Sequence, residues 1–203
     1  MTQTTSSMSF ATQPGNLILD NNINTEINNF WHGEKLSFAV DQDTEIISLA
    51  IQIPTIDPLV CLQKLGHSKT LNFYWENCSK QEAVAAWGIT IRGNTQPDSR
   101  FSSAQDLIQS WFKQITREGA NTLILGKPSI FCGFTFFADV EESEPFKSGT
   151  LFLPRFQIVK KNKNCCLIVN FPLQQAQDKS YVLEQIKQKV NTINWSSLKC
   201  LDE

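Results

Sequence analysis

The segments Phe73-Tyr74-Trp75-Glu76-Asn77, Ala83-Val84-Ala85-Ala86-Trp87-Gly88-Ile89, Ile130-Phe131-Cys132-Gly133-Phe134-Thr135-Phe136-Phe137 and Leu151-Phe152-Leu153-Pro154-Arg155-Phe156 decide the fold. They are short, rich in aromatic and β-branched residues, and separated by polar turn residues, which is the pattern of strands rather than helices. Strands of this length pair in antiparallel fashion and need helices to cover at least one face. The expected fold is therefore α+β: a mostly antiparallel sheet with helices packed on one face. A polar, flexible lead-in over 1–16 precedes a single domain over 17–203.

Around this centre the other elements read clearly. Glu45 to Ile53 is a strand stopped by Pro54. Asp57 to Gly66 is a short helix, with Asp57 as N-cap, Pro58 at the first helical position and Gly66 in a left-handed C-terminal position. Thr70 to Glu76 and Ala83 to Ile91 are two further strands across the turn Asn77 to Gln81. A helix begins at a capping box, Ser103 to Asp106. Its apolar face is Leu107, Ile108, Trp111, Phe112 and Ile115, with Arg117 in the last turn and Gly119 after it. Ser129–Asp139, Gly149–Lys160 and Cys165–Pro172 read as antiparallel strands. Ser180 to Ile193 is an amphipathic helix through Leu183, Ile186, Val190 and Ile193. Asn21 to Trp31 is a short, Asn-rich helix.

With 203 residues, 41% hydrophobic residues and 14 Phe, the chain has the material for a packed core, and a chain of this size buries roughly 70% of its unfolded surface. The 18 basic and 20 acidic side chains leave a net charge of −2. Nucleic acid is disfavoured as a partner, because phosphate recognition needs a concentrated basic face. The one basic cluster, Lys160-Lys161-Asn162-Lys163, reads as a solvated hairpin turn. A membrane helix needs roughly 20 apolar residues, and no run approaches this. The N-terminus lacks the pattern of a secretory signal. The six cysteines (Cys61, Cys78, Cys132, Cys165, Cys166 and Cys200) show no C-x-x-C spacing, and most lie in apolar runs. They read as buried thiols of a cytoplasmic protein.

The motifs offer little chemistry. The two histidines are His32, in an aromatic turn, and His67, in a helix-to-strand connection. Neither neighbours a nucleophile motif, and there is no zinc or phosphate-loop signature. Glu76 follows three aromatics, where burial would raise its pKa, although pairing with a local donor is the simpler outcome. The acidic run Glu141-Glu142-Ser143-Glu144 reads as a solvated loop rather than a cation site.

Taken together, the landmarks resemble the chorismate-utilising enzyme family, in particular the N-terminal part of isochorismate synthase. The likeness rests on Ile53-Pro54 followed by Asp57-Pro58-Leu59, on Phe73 to Glu76, and on the small-residue strand Ala83 to Gly88. It continues through Phe131 to Phe136, where the family commonly has a Gly-Gly-Phe-x-Phe run and Cys132 replaces a glycine. It ends with Phe146 and with Phe152 to Phe156. Gly88 and Gly133 would let sheet layers approach closely. The resemblance spans residues 45–175.

That resemblance implies Mg²⁺-dependent conversion of chorismate to isochorismate for quinone (menaquinone or phylloquinone) or salicylate biosynthesis. In the family, the lysine base, the glutamate acid and the magnesium-binding glutamates all lie C-terminal to the matched region. Lys199 is in no such motif. The expectation is a truncated chain, inactive alone, with no catalytic, cofactor or metal residue of its own. Its partner would be a C-terminal catalytic half or a second copy, and it would meet chorismate only when completed. Two other readings stay open: a non-enzymatic binding or interaction module, and a hydrolase pairing Cys61 or Cys78 with a histidine.

Overall fold

The computed structural model describes residues 25, 27–32, 40–41, 43–66, 71–119, 125–137, 147–175 and 177–199. The strands are β1 (Glu45–Ile53), β2 (Asn72–Asn77), β3 (Glu82–Trp87), β4 (Ile91–Thr95), β5 (Ile115–Gly119), β6 (Phe131–Phe134), β7 (Gly149–Leu153), β8 (Phe156–Lys161) and β9 (Asn164–Leu173). The helices are α1 (Pro58–Leu65), α2 (Arg100–Gln114) and α3 (Lys179–Asn191), and residues 27–31 are also helical. A six-stranded sheet runs β2-β3-β8-β9-β1-β5 and a three-stranded sheet runs β4-β7-β6. All pairings are antiparallel except β1 with β5. The expected α+β, mostly antiparallel architecture is the one found.

The long central strand β9 shows how the core is divided. Cys165, Leu167, Val169 and Phe171 point to one face of the large sheet, where they meet Ile47 and Leu49 of β1, Val182, Ile186 and Val190 of α3, and Phe30. Cys166 and Ile168 point to the other face, with Ala50 and Leu125. This is the period-2 alternation of a strand buried on both sides. Ala83 and Ala85 are buried where α1 lies across β3, because small side chains let a helix approach. A third cluster joins α2 to the small sheet through Ala104, Trp111, Leu151 and Leu153. There, the Trp111 ring lies against the bare backbone of Gly93, where an added Cβ would sit 3.1 Å from it.

Two strands expected to be continuous are instead bent. Ala83 to Ile91 breaks at Gly88, and Gly149 to Lys160 breaks at Pro154-Arg155. The ribbon that pairs Trp87 with Phe156 in the large sheet resumes by pairing Ile91 with Leu153 in the small one. Proline supplies no amide to a ladder, and Gly88 adopts φ +71°, so both sides of the ribbon turn the corner together. Buried polar groups close the corner. Thr90 donates its amide to Leu153 O (2.9 Å) and its hydroxyl to Asn170 O (2.8 Å), while Asn170 Nδ2 donates to Pro154 O (2.8 Å).

Other boundaries also shift. Asp57 caps α1 as expected, accepting from the amides of Leu59 (2.8 Å) and Val60 (3.4 Å). Gly66, however, is extended (φ −73°, ψ 144°) rather than left-handed. Helix α2 starts at Arg100, so Ser103 and Asp106 lie inside it and form no capping box. It ends at Gln114, and Ile115, Arg117 and Gly119 belong to strand β5, which pairs in parallel with β1. Gly133 brings no layers together: an added Cβ would meet nothing within 4 Å. The Lys160 to Lys163 segment is the expected hairpin turn, with Asn162 at φ 54°. The 1–16 lead-in, the Glu141 to Glu144 loop and Phe146 lie outside the described residues.

Candidate functional site

Two concavities flank the large sheet on the face that carries α1. The first is a cleft of about 250 Å³. Its floor is Trp87, Phe156, Ile158 and Leu167, all buried core side chains of the sheet. Trp31 and Trp195 form walls, and Lys64 and His32 stand at the rim. The rings brace one another: Trp87 stacks on Phe156 at 5.4 Å, and Trp31 meets the same ring edge-on at 5.0 Å. Lys64 Nζ donates to Ser197 O at 2.7 Å, which fixes the ammonium beside Trp195.

The second is a groove of about 420 Å³, polar and open, lined by Asp57, Tyr74, Glu76, Cys78, Glu82, Lys160 and Lys163 among others. The Tyr74 hydroxyl donates to Glu76 at 2.9 Å. Burial, followed by that bond to a carboxylate, pushes the phenol well above its usual range. Glu82 is held below the ordinary carboxylate value by the Lys161 ammonium at 2.7 Å.

The residues singled out from sequence do not converge. His32 is exposed at the rim of the aromatic cleft, while Cys78 and Glu76 lie at the polar groove. His67 and Cys200 lie outside the described residues. Glu76 is exposed rather than buried by its aromatic neighbours, and pairs with Tyr74 as the simpler expectation had it. Cys61 is fully buried, and burial pushes its thiol up to about 12, which is unsuited to a nucleophile at neutral pH. Cys165 and Cys166 are buried as expected, but Cys78 and Cys132 are exposed, because they fall in a short 3₁₀ turn and on an edge strand. Lys199 is exposed beyond the 3₁₀ turn Trp195–Leu198.

The aromatic cleft gave no sequence signal. Its lining comes from six separated stretches, and only the folded sheet and the elements packed on it bring them together. Among the described residues no three His, Cys, Asp or Glu side chains gather to hold a metal ion. No Mg²⁺ ligand set is assigned to the described residues, and no step is assigned to the ion. Among the described residues no helix is long and apolar enough to cross a membrane.

The model of a family described as chorismate binding enzyme matches residues 34–202. The chain belongs to that family. In this chorismate binding enzyme family member the match takes in both sheets, the bent ribbon, the polar groove, and the aromatic cleft apart from Trp31 and His32. No curated protein sequence matches it. Among solved structures it is similar to the menaquinone-specific isochorismate synthase from Escherichia coli, with 16% identity and a TM-score of 0.44. That alignment covers 94% of this chain and 36% of the other, so the chain spans little more than a third of that protein's length.

Proposed function

We propose that this chain is an isochorismate synthase-like member of its family, acting in the conversion of chorismate to isochorismate for quinone or salicylate biosynthesis in the cytoplasm. The observation that carries the reading is the family match over residues 34–202. The residue likeness supports it: Phe73 to Glu76, Ala83 to Gly88 and Phe152 to Phe156 all fall on the bent ribbon and its neighbouring strand. In this reading residues 17–203 form one scaffold domain. The base, the acid and the Mg²⁺ ligands come from a separate catalytic segment, and the chain alone is inactive.

A partner follows from the same reading, either that catalytic segment or a second copy. The surface offering itself is the cluster of exposed rings Phe101, Phe134, Phe136 and Phe137, with Phe136 89% exposed. Exposed aromatic clusters of this kind mark association surfaces.

The test is chorismate consumption, followed chromatographically with Mg²⁺ present, for the purified chain alone and for the chain co-expressed with a segment carrying the family's lysine strand. The expected result is isochorismate only in the second case. Isochorismate formed by residues 1–203 alone would overturn the claim of inactivity. Stable association without turnover would favour an interaction module.

A further inference from the structure

We propose that the aromatic cleft between α1, the 27–31 helix and the Trp195–Leu198 turn is a binding site for a small planar monoanion, an aryl carboxylate of one or two rings. This site is independent of the proposed reaction. The floor is built from sheet side chains, Trp87 and Phe156 at 5% exposure and Ile158 and Leu167 at 2% or less, so the cleft reaches the core instead of resting on surface residues. Ligand sites have this composition, apolar and aromatic walls with few polar groups at defined points.

Size and charge narrow the ligand. A volume of about 250 Å³ falls just below the roughly 300–1,000 Å³ of sites for drug-sized molecules, so one ring or a fused pair fills it. The walls favour a flat π-system, because aromatic rings stack offset or edge-to-face. Trp31, Trp87 and Phe156 already hold one another in such contacts. Preformed walls lower the ordering cost of binding.

Among the described residues the charged or titratable side chains lining the cleft are Lys64 and His32, and no Asp or Glu side chain lines it. An ammonium has three donors, and Lys64 directs one at Ser197 O, leaving two for a carboxylate at the mouth. A cationic ligand, or a zwitterion with an ammonium group, finds no counter-charge among the described lining residues. The chemistry selects the aryl carboxylate.

The experiment uses the full chain and benzoate, read by the indole N–H resonances of its five Trp residues. Benzoate is expected to shift Trp31, Trp87 and Trp195 in a saturable way and to leave Trp75 and Trp111 in place. Benzylamine and cyclohexanecarboxylate, which keep the size but reverse the charge or lose the flat ring, should bind more weakly. Lys64→Gln should weaken benzoate by roughly tenfold, as for loss of a charged hydrogen bond, and Lys64→Arg should retain it. The proposal is overturned if benzoate moves none of the three indoles, if it moves all five alike, if benzylamine binds equally well, or if Lys64→Gln leaves the titration unchanged. The ligand comparison is made on the unmodified chain, so it decides the question even if a variant folds poorly.

Discussion

Gly88 and Arg155 face each other across the bend of the central ribbon, and the missing side chain of one is the space taken by the other. A Cβ on Gly88 would lie 3.1 Å from both Cβ and Cδ of Arg155. The arginine runs its stem through this gap and donates from Nε to Ile89 O at 2.9 Å and from Nη1 to Phe30 O at 3.1 Å. It also lies over the Phe30 ring, 5.2 Å from the centroid. One side chain thus holds the bend and the 27–31 helix against the sheet. Gly88→Ala should destabilise the protein by about 1–3 kcal/mol, from its positive φ plus the contact. Arg155→Ala should cost about 2–3 kcal/mol through the two orphaned carbonyls. The two effects should be less than additive in urea unfolding of the double variant, because removing the arginine stem removes the clash. Full additivity would show that the gap does not couple them.

That corner marks the limit of what the sequence shows. The pieces on either side of it were legible, because β-branched and aromatic runs bounded by turn residues specify strands. The bend was not, since a strand that continues into a second sheet keeps the same local pattern. Helix α1 was legible from Asp57 and Pro58, whose effects are local. Strand β5 was hidden for the opposite reason. Ile115-Thr116-Arg117-Glu118-Gly119 follows a helix without a break, and its strand state comes from pairing in parallel with β1, a tertiary effect. At the candidate site, Lys64 and His32 carry no pattern that links them. Only the fold brings them to one rim.

The cysteines divide by environment, and their reactivity should follow. Burial raises the thiols of Cys61 to about 12 and Cys166 to about 11, and raises that of Cys165 as well. Cys78 and Cys132 are exposed. Brief iodoacetamide treatment of the native protein at mildly alkaline pH should alkylate Cys78 and Cys132 and spare Cys61, Cys165 and Cys166, as read by peptide mass mapping. Denaturant should expose those three as well. Fast native labelling of Cys61 would contradict its place on the buried face of α1.

Two ion pairs set the pH response in opposite directions. Glu82 and Lys161 face each other across β3 and β8, and the ammonium lowers the carboxyl below its ordinary 4.5. A lowered folded pKa means that the unfolded chain takes up the proton first, so this contribution is present above 4.5 and is lost as the pH falls through the folded value. Glu82→Gln should narrow the gap to wild type in urea midpoint as the solution is acidified. Lys179, at the start of α3, lies 2.8 Å from Glu118 and 3.4 Å from Glu45, and its pKa is raised, chiefly by Glu118. Its contribution is full below 10.5 and is lost as the pH rises through the folded value. Glu118→Gln should therefore matter at neutral pH and cease to matter in strong alkali. Both groups are solvent-accessible, so salt should reduce both effects.

The exposed phenylalanines lead to a prediction about association. Phe101 and Phe134 pack at 4.9 Å, Phe136 and Phe137 meet edge-on at 5.1 Å, and Arg100 lies 4.8 Å above the Phe101 ring while also reaching Phe136 O. These contacts gather the rings into one patch without covering them, since Phe101, Phe136 and Phe137 are 62%, 89% and 73% exposed. Apolar surface left in water favours burial at about 25 cal/mol per Å², so a patch of several rings drives self-association when no other partner is present. The purified chain should show a mass in light scattering that rises with concentration. Phe136→Ser combined with Phe137→Ser should shift it towards the monomer without lowering the urea midpoint, because neither ring belongs to a buried cluster. A wild-type chain that stays monomeric at every concentration would remove the patch as an interface. A double variant that still associates would move the interface elsewhere, with the exposed rings Trp75 and Phe112 next to be tested.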